Sequence, residues 1–130
     1  MDARIDIVER IYAVMTDDDV EPFLGMCAAD ASVHYPAEGL LPYGGTWSGR
    51  DAIRSFLLAH DEAEEILAFE LSSMAASDDR VFVMGRFEGR AKPTGRVWQT
   101  EFVHVMTVGD NQLRRWQAFF DTAAAASAHR

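Results

Sequence analysis

An α+β domain, with its helices gathered ahead of a long antiparallel meander, is the fold class this sequence predicts. Three observations carry that expectation. RVFVMGRFEGRA, RVWQTEFVHVMTV and QLRRWQAFFD are long, alternating, β-branched and aromatic runs filling the stretch from Arg80 to Asp121. KPTG and GDNQ separate them as turns. Nearly everything before them shows helical spacing, and a short alanine-rich helix follows. Helices packed on one face of a curved sheet leave an apolar hollow between the layers, where a small molecule can bind.

Composition narrows the function class. The chain has 130 residues, 48% of them hydrophobic, and no linker or repeat divides it, so residues 1–130 are read as one domain. Twelve Lys and Arg against twenty-one Asp and Glu give a net charge of −9. That balance argues against nucleic acid and anionic membranes as partners. No apolar run approaches a membrane span, and the charged start MDARIDIVER has no apolar signal core. Cys27 is the sole cysteine, so no internal disulfide is available, and a soluble cytoplasmic protein is the simplest expectation.

The elements follow in order. Ile5, Val8, Tyr12 and Met15 mark one apolar face of a first helix. Asp17, Asp18 and Asp19 end it and open a second short helix, with Asp19 as its cap, Pro22 in its first turn, and Phe23, Leu24, Met26 and Cys27 along it. SVHYP reads as a short strand stopped by Pro36. The glycine-rich loop from Ala37 to Gly49 carries Tyr43 and Trp47, aromatics suited to covering a site. A third helix starts at Ser48 or Gly49 and presents Ile53, Phe56, Leu57 and His60. Glu64 to Ser77 reads as a strand ending in a turn at Asp78 and Asp79, which makes four helices and five or six strands in all.

Several of these segments together resemble a known family. AADASVHYP after helix two, GTWSGRDAIRSFL at helix three, PTGRVWQTEFVHV around the second turn and AFFDTA at the end are similar to the SnoaL-like branch of the nuclear transport factor 2-like superfamily. Ketosteroid isomerase and polyketide cyclases share that fold. The resemblance implies a cone-shaped, curved mixed β-sheet packed against three N-terminal helices (a cystatin-like α+β roll), with a short C-terminal helix. It also implies a pocket inside the cone and a homodimer through the outer sheet face. Fold alone does not assign chemistry.

Aligned on that pattern, alternation sends Val81, Val83, Gly85 and Phe87 into the pocket, with Val97, Gln99, Glu101, Val103 and Val105, and with Arg114, Trp116, Ala118 and Phe120. The opposite face then holds His104 with Phe82, Met84, Trp98, Phe102, Met106 and Phe119, and those last six, bulky and apolar, suggest burial against a second copy. The three positions that carry ketosteroid isomerase chemistry match Tyr35, Ile11 and Val103, so that chemistry is not retained. The cyclase Trp-Asp pair matches Gln117 and Ala118, and Asp121, which matches a second aspartate of that pattern, reads foremost as a helix cap with a pocket-rim role as its alternative.

Glu101 is the remaining candidate general base, expected to be inward and raised in pKa by burial. Tyr35 and Gln99 are the candidate donors to a carbonyl or enolate oxygen. A structural pairing of Glu101 with an arginine such as Arg114 stands beside that reading. Tyr12, Met15, Trp47, Phe56, Val83, Phe87, Val103, Trp116, Ala118 and Phe120 are candidate pocket walls, and His34 is a further candidate if its strand is irregular. His60 is read as a helix-end cation, Cys27 as packing, and the histidines show no metal-ligand spacing. No cofactor or metal is expected.

The function expected is a small apolar-molecule pocket, acting as a cofactor-independent isomerase, cyclase or dehydratase on a carbonyl compound. A noncatalytic ligand-binding domain and a dimeric association module are the alternatives. The homodimer expectation has a direct check: sedimentation at micromolar concentration should give twice the chain mass, and a monomer would refute it.

Overall fold

The computed structural model describes residues 2–16 and 18–130, so the expected turn role of Asp17 lies outside the described residues. Helix α1 spans Ala3–Met15 and is capped by Asp2, whose carboxylate accepts from the Arg4 amide at 3.0 Å. Ile7, Val8, Ile11 and Tyr12 form its buried face. Helix α2, Glu21–Met26, follows, with the Asp19 carboxylate accepting from the Glu21 amide. Strand β1 runs Cys27–Tyr35, β2 Gly45–Ser48, and α3 Arg50–Ala63. The meander is β3 Glu64–Ser77, β4 Arg80–Ala91, β5 Val97–Gly109 and β6 Gln112–Phe120, before α4 at Thr122–Ala128. Cys27 therefore opens a strand rather than ending a helix. It stays a packing residue: its thiol meets the Phe23 carbonyl, and burial pushes its pKa up to about 11.

The six strands form one unclosed sheet in the order β2-β1-β6-β5-β4-β3. Every neighbouring pair is antiparallel except β1 with β6. Long-range pairing thus starts from hairpins, and their turns follow local chemistry. Gly109 pairs with Gln112 across Asp110 and Asn111, whose φ values of 54° and 60° are those of a type I′ turn. The mixed, curved sheet, with helices against its concave side, agrees with the α+β expectation, and the glycine-rich loop yields the sixth strand, β2.

The ladder corrects one strand. On β4 the inward set is the expected one: Val81, Val83, Gly85 and Phe87 are buried. Residues paired across a ladder share a face, and their partners on β5 are Met106, His104, Phe102 and Thr100. Trp98, Phe102, His104 and Met106 are accordingly buried, while Val97, Gln99 and Glu101 are exposed and Val103 and Val105 half-buried on the outer face. β5 is flipped relative to the sequence reading. Both of its alternating sets are apolar, so hydrophobicity does not choose between them; the bulky aromatic set takes the side with room. The outer apolar face becomes a row from Met84 through Val103 to Phe119 with Phe82 and Val105 on one side of it, and a charged row of Glu70, Arg86 and Glu101 on the other.

Gly85 lies where the sheet bends, beside an irregularity in β3 between Leu71 and Ser73. The Phe102 ring lies over it, and a Cβ there would collide with that ring and with the Glu70 carbonyl. Gly85→Ala should therefore destabilise the fold by about 1–3 kcal/mol, the usual cost of overpacking. A lowered urea midpoint with an unchanged slope is the expected reading, and an unchanged midpoint would refute the packing account.

Candidate functional site

Between the sheet and α1 and α3 lies a cavity of about 1050 Å³. Its inner wall is aromatic. Tyr35, the last residue of β1, sits at the centre, with ring centroids of Phe56 at 4.7 Å, Trp116 at 5.5 Å, Phe120 at 5.7 Å and Tyr43 at 5.8 Å. Phe87, Trp98 and Phe102 continue the wall along β4 and β5, and Phe69 closes it from β3. Pro36 breaks β1 immediately after Tyr35, which lets the following loop turn over the cavity and deliver Tyr43.

One charged group is buried in this wall. The Glu64 carboxylate, at the α3–β3 junction, accepts from Tyr43 Oη at 2.9 Å, from Trp98 Nε1 at 3.1 Å and from His129 Nε2 at 2.5 Å. Its side chain is fully sequestered, so these three donors replace water. Burial, followed by the Glu64 charge, drives the Tyr43 pKa upward, so that hydroxyl stays a donor.

The other polar groups around Tyr35 are two histidines and two tyrosine hydroxyls. His60, on the last turn of α3, has no hydrogen-bond partner among the described residues and lines the cavity, 4.5 Å from the Tyr43 ring. Burial lowers its pKa to about 4, against the opposing pull of Glu64, so it is a neutral imidazole at pH 7 and not the helix-end cation expected from its position. His104 is fully enclosed, and burial lowers its pKa to about 3, with His60 adding to the shift. Its Nδ1 lies 2.6 Å from Tyr12 Oη. Burial holds the Tyr12 hydroxyl protonated, and its proton has no other acceptor among the described residues. It therefore goes to Nδ1 and leaves the imidazole proton on Nε2. The Tyr35 hydroxyl, likewise kept protonated by burial, has no partner among the described residues. Trp116 Nε1 is the one side-chain nitrogen or oxygen among them that has neither a partner nor contact with open space, and the Tyr35, Phe56 and Phe23 rings stand nearly perpendicular to the indole.

Of the residues singled out in the sequence, Met15, Tyr35, Phe56, Phe87, Trp116 and Phe120 line the cavity. Val83 and Ala118 are buried beneath that wall, Tyr12 stands behind His104, and Trp47 packs on Phe56 at 5.8 Å. Glu101 does not reach the site: it is exposed on the outer face opposite Arg86, where a cross-strand ion of opposite sign and water suit a carboxylate. Gln99 is also outside and accepts from Arg86, and Val103 faces the same way. His34 points away from the cavity and bonds Thr46. Asp121 caps α4 through the Ala124 amide at 3.0 Å.

His60, Glu64, His104 and His129 are the site residues that the sequence reading passed over. One signal was available for His104: anchoring β5 on β4 through the hairpin pairing turns it inward. Tyr12 and His104, the pair that meets, are the immediate neighbours of Ile11 and Val103, the positions matched to ketosteroid isomerase. Among the described residues, no group of three or more His, Cys, Asp or Glu is placed to hold a metal ion.

Comparison with known proteins agrees with this architecture. An NTF2-like protein from Burkholderia xenovorans superposes with a TM-score of 0.89 at 30% identity, covering 98% of this chain and 95% of that one. TerC, solved with polyporic acid, superposes with a TM-score of 0.81 at 26% identity over 97% of each chain. A protein described as a candidate SnoaL-like polyketide cyclase from Mesorhizobium loti shares the fold, with a TM-score of 0.73 at 16% identity over 88% of this chain and 97% of that one. Among curated proteins no sequence matches. The sequence profile of the SnoaL-like domain matches residues 8–116, and the chain belongs to the SnoaL-like family.

Proposed function

We propose that the cavity binds a small, ring-containing carbonyl compound and that His60 takes a proton from the carbon beside its carbonyl. The single observation that carries this reading is the set of uncharged polar groups around Tyr35 that each keep an atom without a partner among the described residues: the His60 and His104 ring centroids lie 6.2 and 6.5 Å from the Tyr35 ring. A neutral imidazole with a free lone pair is a base. The Tyr35 hydroxyl and the His104 Nε2–H are donors that can hold the oxygen on which charge develops. A neutral imidazole donor of this kind needs a depressed pKa, which burial supplies. Proton removal at one carbon and return at another is an isomerisation, expulsion of a hydroxyl is a dehydration, and attack by the enolate on a second carbonyl is a cyclisation. All three need no cofactor. The co-crystallisation of TerC with polyporic acid supports a ringed, oxygenated ligand for this fold.

The test is exchange of the α-deuterons of 2-tetralone in water, followed by NMR. The protein should accelerate exchange, His60→Gln should reduce the acceleration about 10²-fold or more, and Tyr35→Phe about 10-fold or more. Binding of 2-tetralone or polyporic acid without exchange would instead favour the noncatalytic ligand-binding domain. Equal exchange in wild type and His60→Gln would sink the assignment of the base.

The same histidines set an acid sensitivity. In the unfolded chain they titrate near 6.5, whereas in the fold they titrate at about 4 and about 3. Between those values the unfolded chain holds more protons, so stability is full above about pH 6.5 and falls as pH drops toward 3–4. Urea midpoints measured from pH 7 to pH 4 should decline. The decline should be shallower in His60→Gln by up to one proton's worth of slope. An identical slope in that variant would contradict burial of a neutral His60.

A further inference from the structure

We propose that the ligand of this cavity is an amphiphile: a carbonyl-bearing ring held deep against Tyr35, and an uncharged aliphatic tail that leaves through the mouth across Leu58 and Ile66. This rests on the reading of the cavity as a carbonyl-compound site and adds the shape and class of the molecule.

The two ends of the cavity differ in chemistry. The deep end holds every unpartnered polar group described above and is walled by rings. The mouth lies between α3 and the first half of β3, which is an edge strand, so no further strand covers it. Met15, Val20, Leu57 and Phe69 line it half-buried, while Leu58 is 58% and Ile66 55% exposed. Elsewhere a lone exposed Leu or Ile asks for no explanation. Here the two belong to the same lining as the buried rings, so apolar side chains line the cavity both around Tyr35 and at its exposed mouth. A volume of about 1050 Å³ is at the upper end of small-molecule pockets, far beyond what one ring occupies.

Charge at the rim says what the tail is not. Asp18, Asp61, Arg54 and Lys92 supply the charge of the lining there, while the Glu65 side chain turns to the outer sheet face. Arg54 is already engaged by Glu21 at 2.9 Å and Asp51 at 3.0 Å, and Lys92 donates to the Asp61 carbonyl at 2.6 Å. Glu65 is held by Arg90 on the neighbouring strand. An anionic tail end would thus meet the Asp18 and Asp61 carboxylates with Lys92 alone, already donating to a carbonyl, to receive it. A fatty-acid-like ligand is disfavoured and an alkyl ketone favoured.

Calorimetric titration with acetophenone, hexanophenone and octanophenone tests this, since the series adds methylenes to one fixed ketone head. Full burial would tighten binding about fourfold per methylene, and a tail lying on a half-open track gains less. Octanophenone should bind at least tenfold more tightly than acetophenone. In the double variant Leu58→Ser, Ile66→Ser that ratio should collapse to below about threefold. Both side chains are exposed, so the variant should fold, and its urea midpoint verifies that. The ω-carboxylate of octanophenone should bind at least tenfold more weakly than octanophenone itself. A ratio near one in the wild type, a ratio unchanged in the double variant, or equal binding of the carboxylate each overturns the amphiphile. If no ketone binds at all, the carbonyl-site reading fails with it, a result distinct from short ketones binding with no chain-length dependence.

Discussion

A buried carboxylate holds this site together. Glu64 stands where α3 passes into β3, and its three donors come from three other places: Tyr43 from the glycine-rich loop, Trp98 from β5 and His129 from the segment after α4. Taking a carboxylate out of water costs several kcal/mol, and the cost is offset only when every lone-pair direction is met. The network therefore works as a requirement of geometry. If the loop, the strand or the tail moves away, a charge is left unpaired in an apolar wall. The tail is tied down further by the Thr94 hydroxyl, which donates to the Ala128 carbonyl, and by the Asp121 cap. The walls around Tyr35 stay apart because elements distant in sequence are fixed to one point.

That arrangement leaves the rest of the deep site without net charge to offer a ligand. Glu64 Oε1 accepts from Tyr43, Trp98 and His129, Oε2 shares the indole proton, and burial keeps His60 and His104 neutral. Tyr12 sits behind His104 and decides which nitrogen carries the proton. The fold thus separates an acceptor imidazole, on α3, from a donor imidazole, on β5. They are the same side chain in two environments, distinguished by what each one touches.

Much of the fold could be read from the sequence because its determinants are local. The type I′ turn at Asp110 and Asn111, the cap at Asp121, and the buried face of α1 near Val8 and Tyr12 each follow from a few neighbouring residues. The inward face of β4 followed as well, and that of β6 from Trp116 onward; Arg114, expected inward, instead pairs with Asp110 beside the turn, because the register shift there puts Leu113 in the core. β5 failed because Val97, Val103 and Val105 alternate with Trp98, Phe102 and Met106, and both sets qualify for burial. Only the hydrogen-bonded register breaks that tie. Glu64 failed for a different reason. Its partners lie 21, 34 and 65 residues away, and a glutamate opening a strand looks solvated until those contacts exist. His60 was legible as a position but not as a chemistry, because its charge state depends on the aromatic rings folded around it.

Neutral donors have a consequence for how such a site can act. A tyrosine hydroxyl and an uncharged imidazole N–H bind a ketone oxygen weakly, since the ketone carries only a partial charge and water serves it nearly as well. The same donors bind an enolate oxygen far better, because a hydrogen bond to a charged acceptor is roughly twice as strong, and more so away from water. Their contribution is concentrated at the point where charge appears. Affinity for the resting molecule must then come from another source, and the aromatic wall and the apolar track toward Leu58 and Ile66 are what the molecule provides. In the proposed reaction, binding and chemistry are divided between two ends of one cavity, so the tail can contribute affinity without stabilising the ground state of the reacting carbonyl.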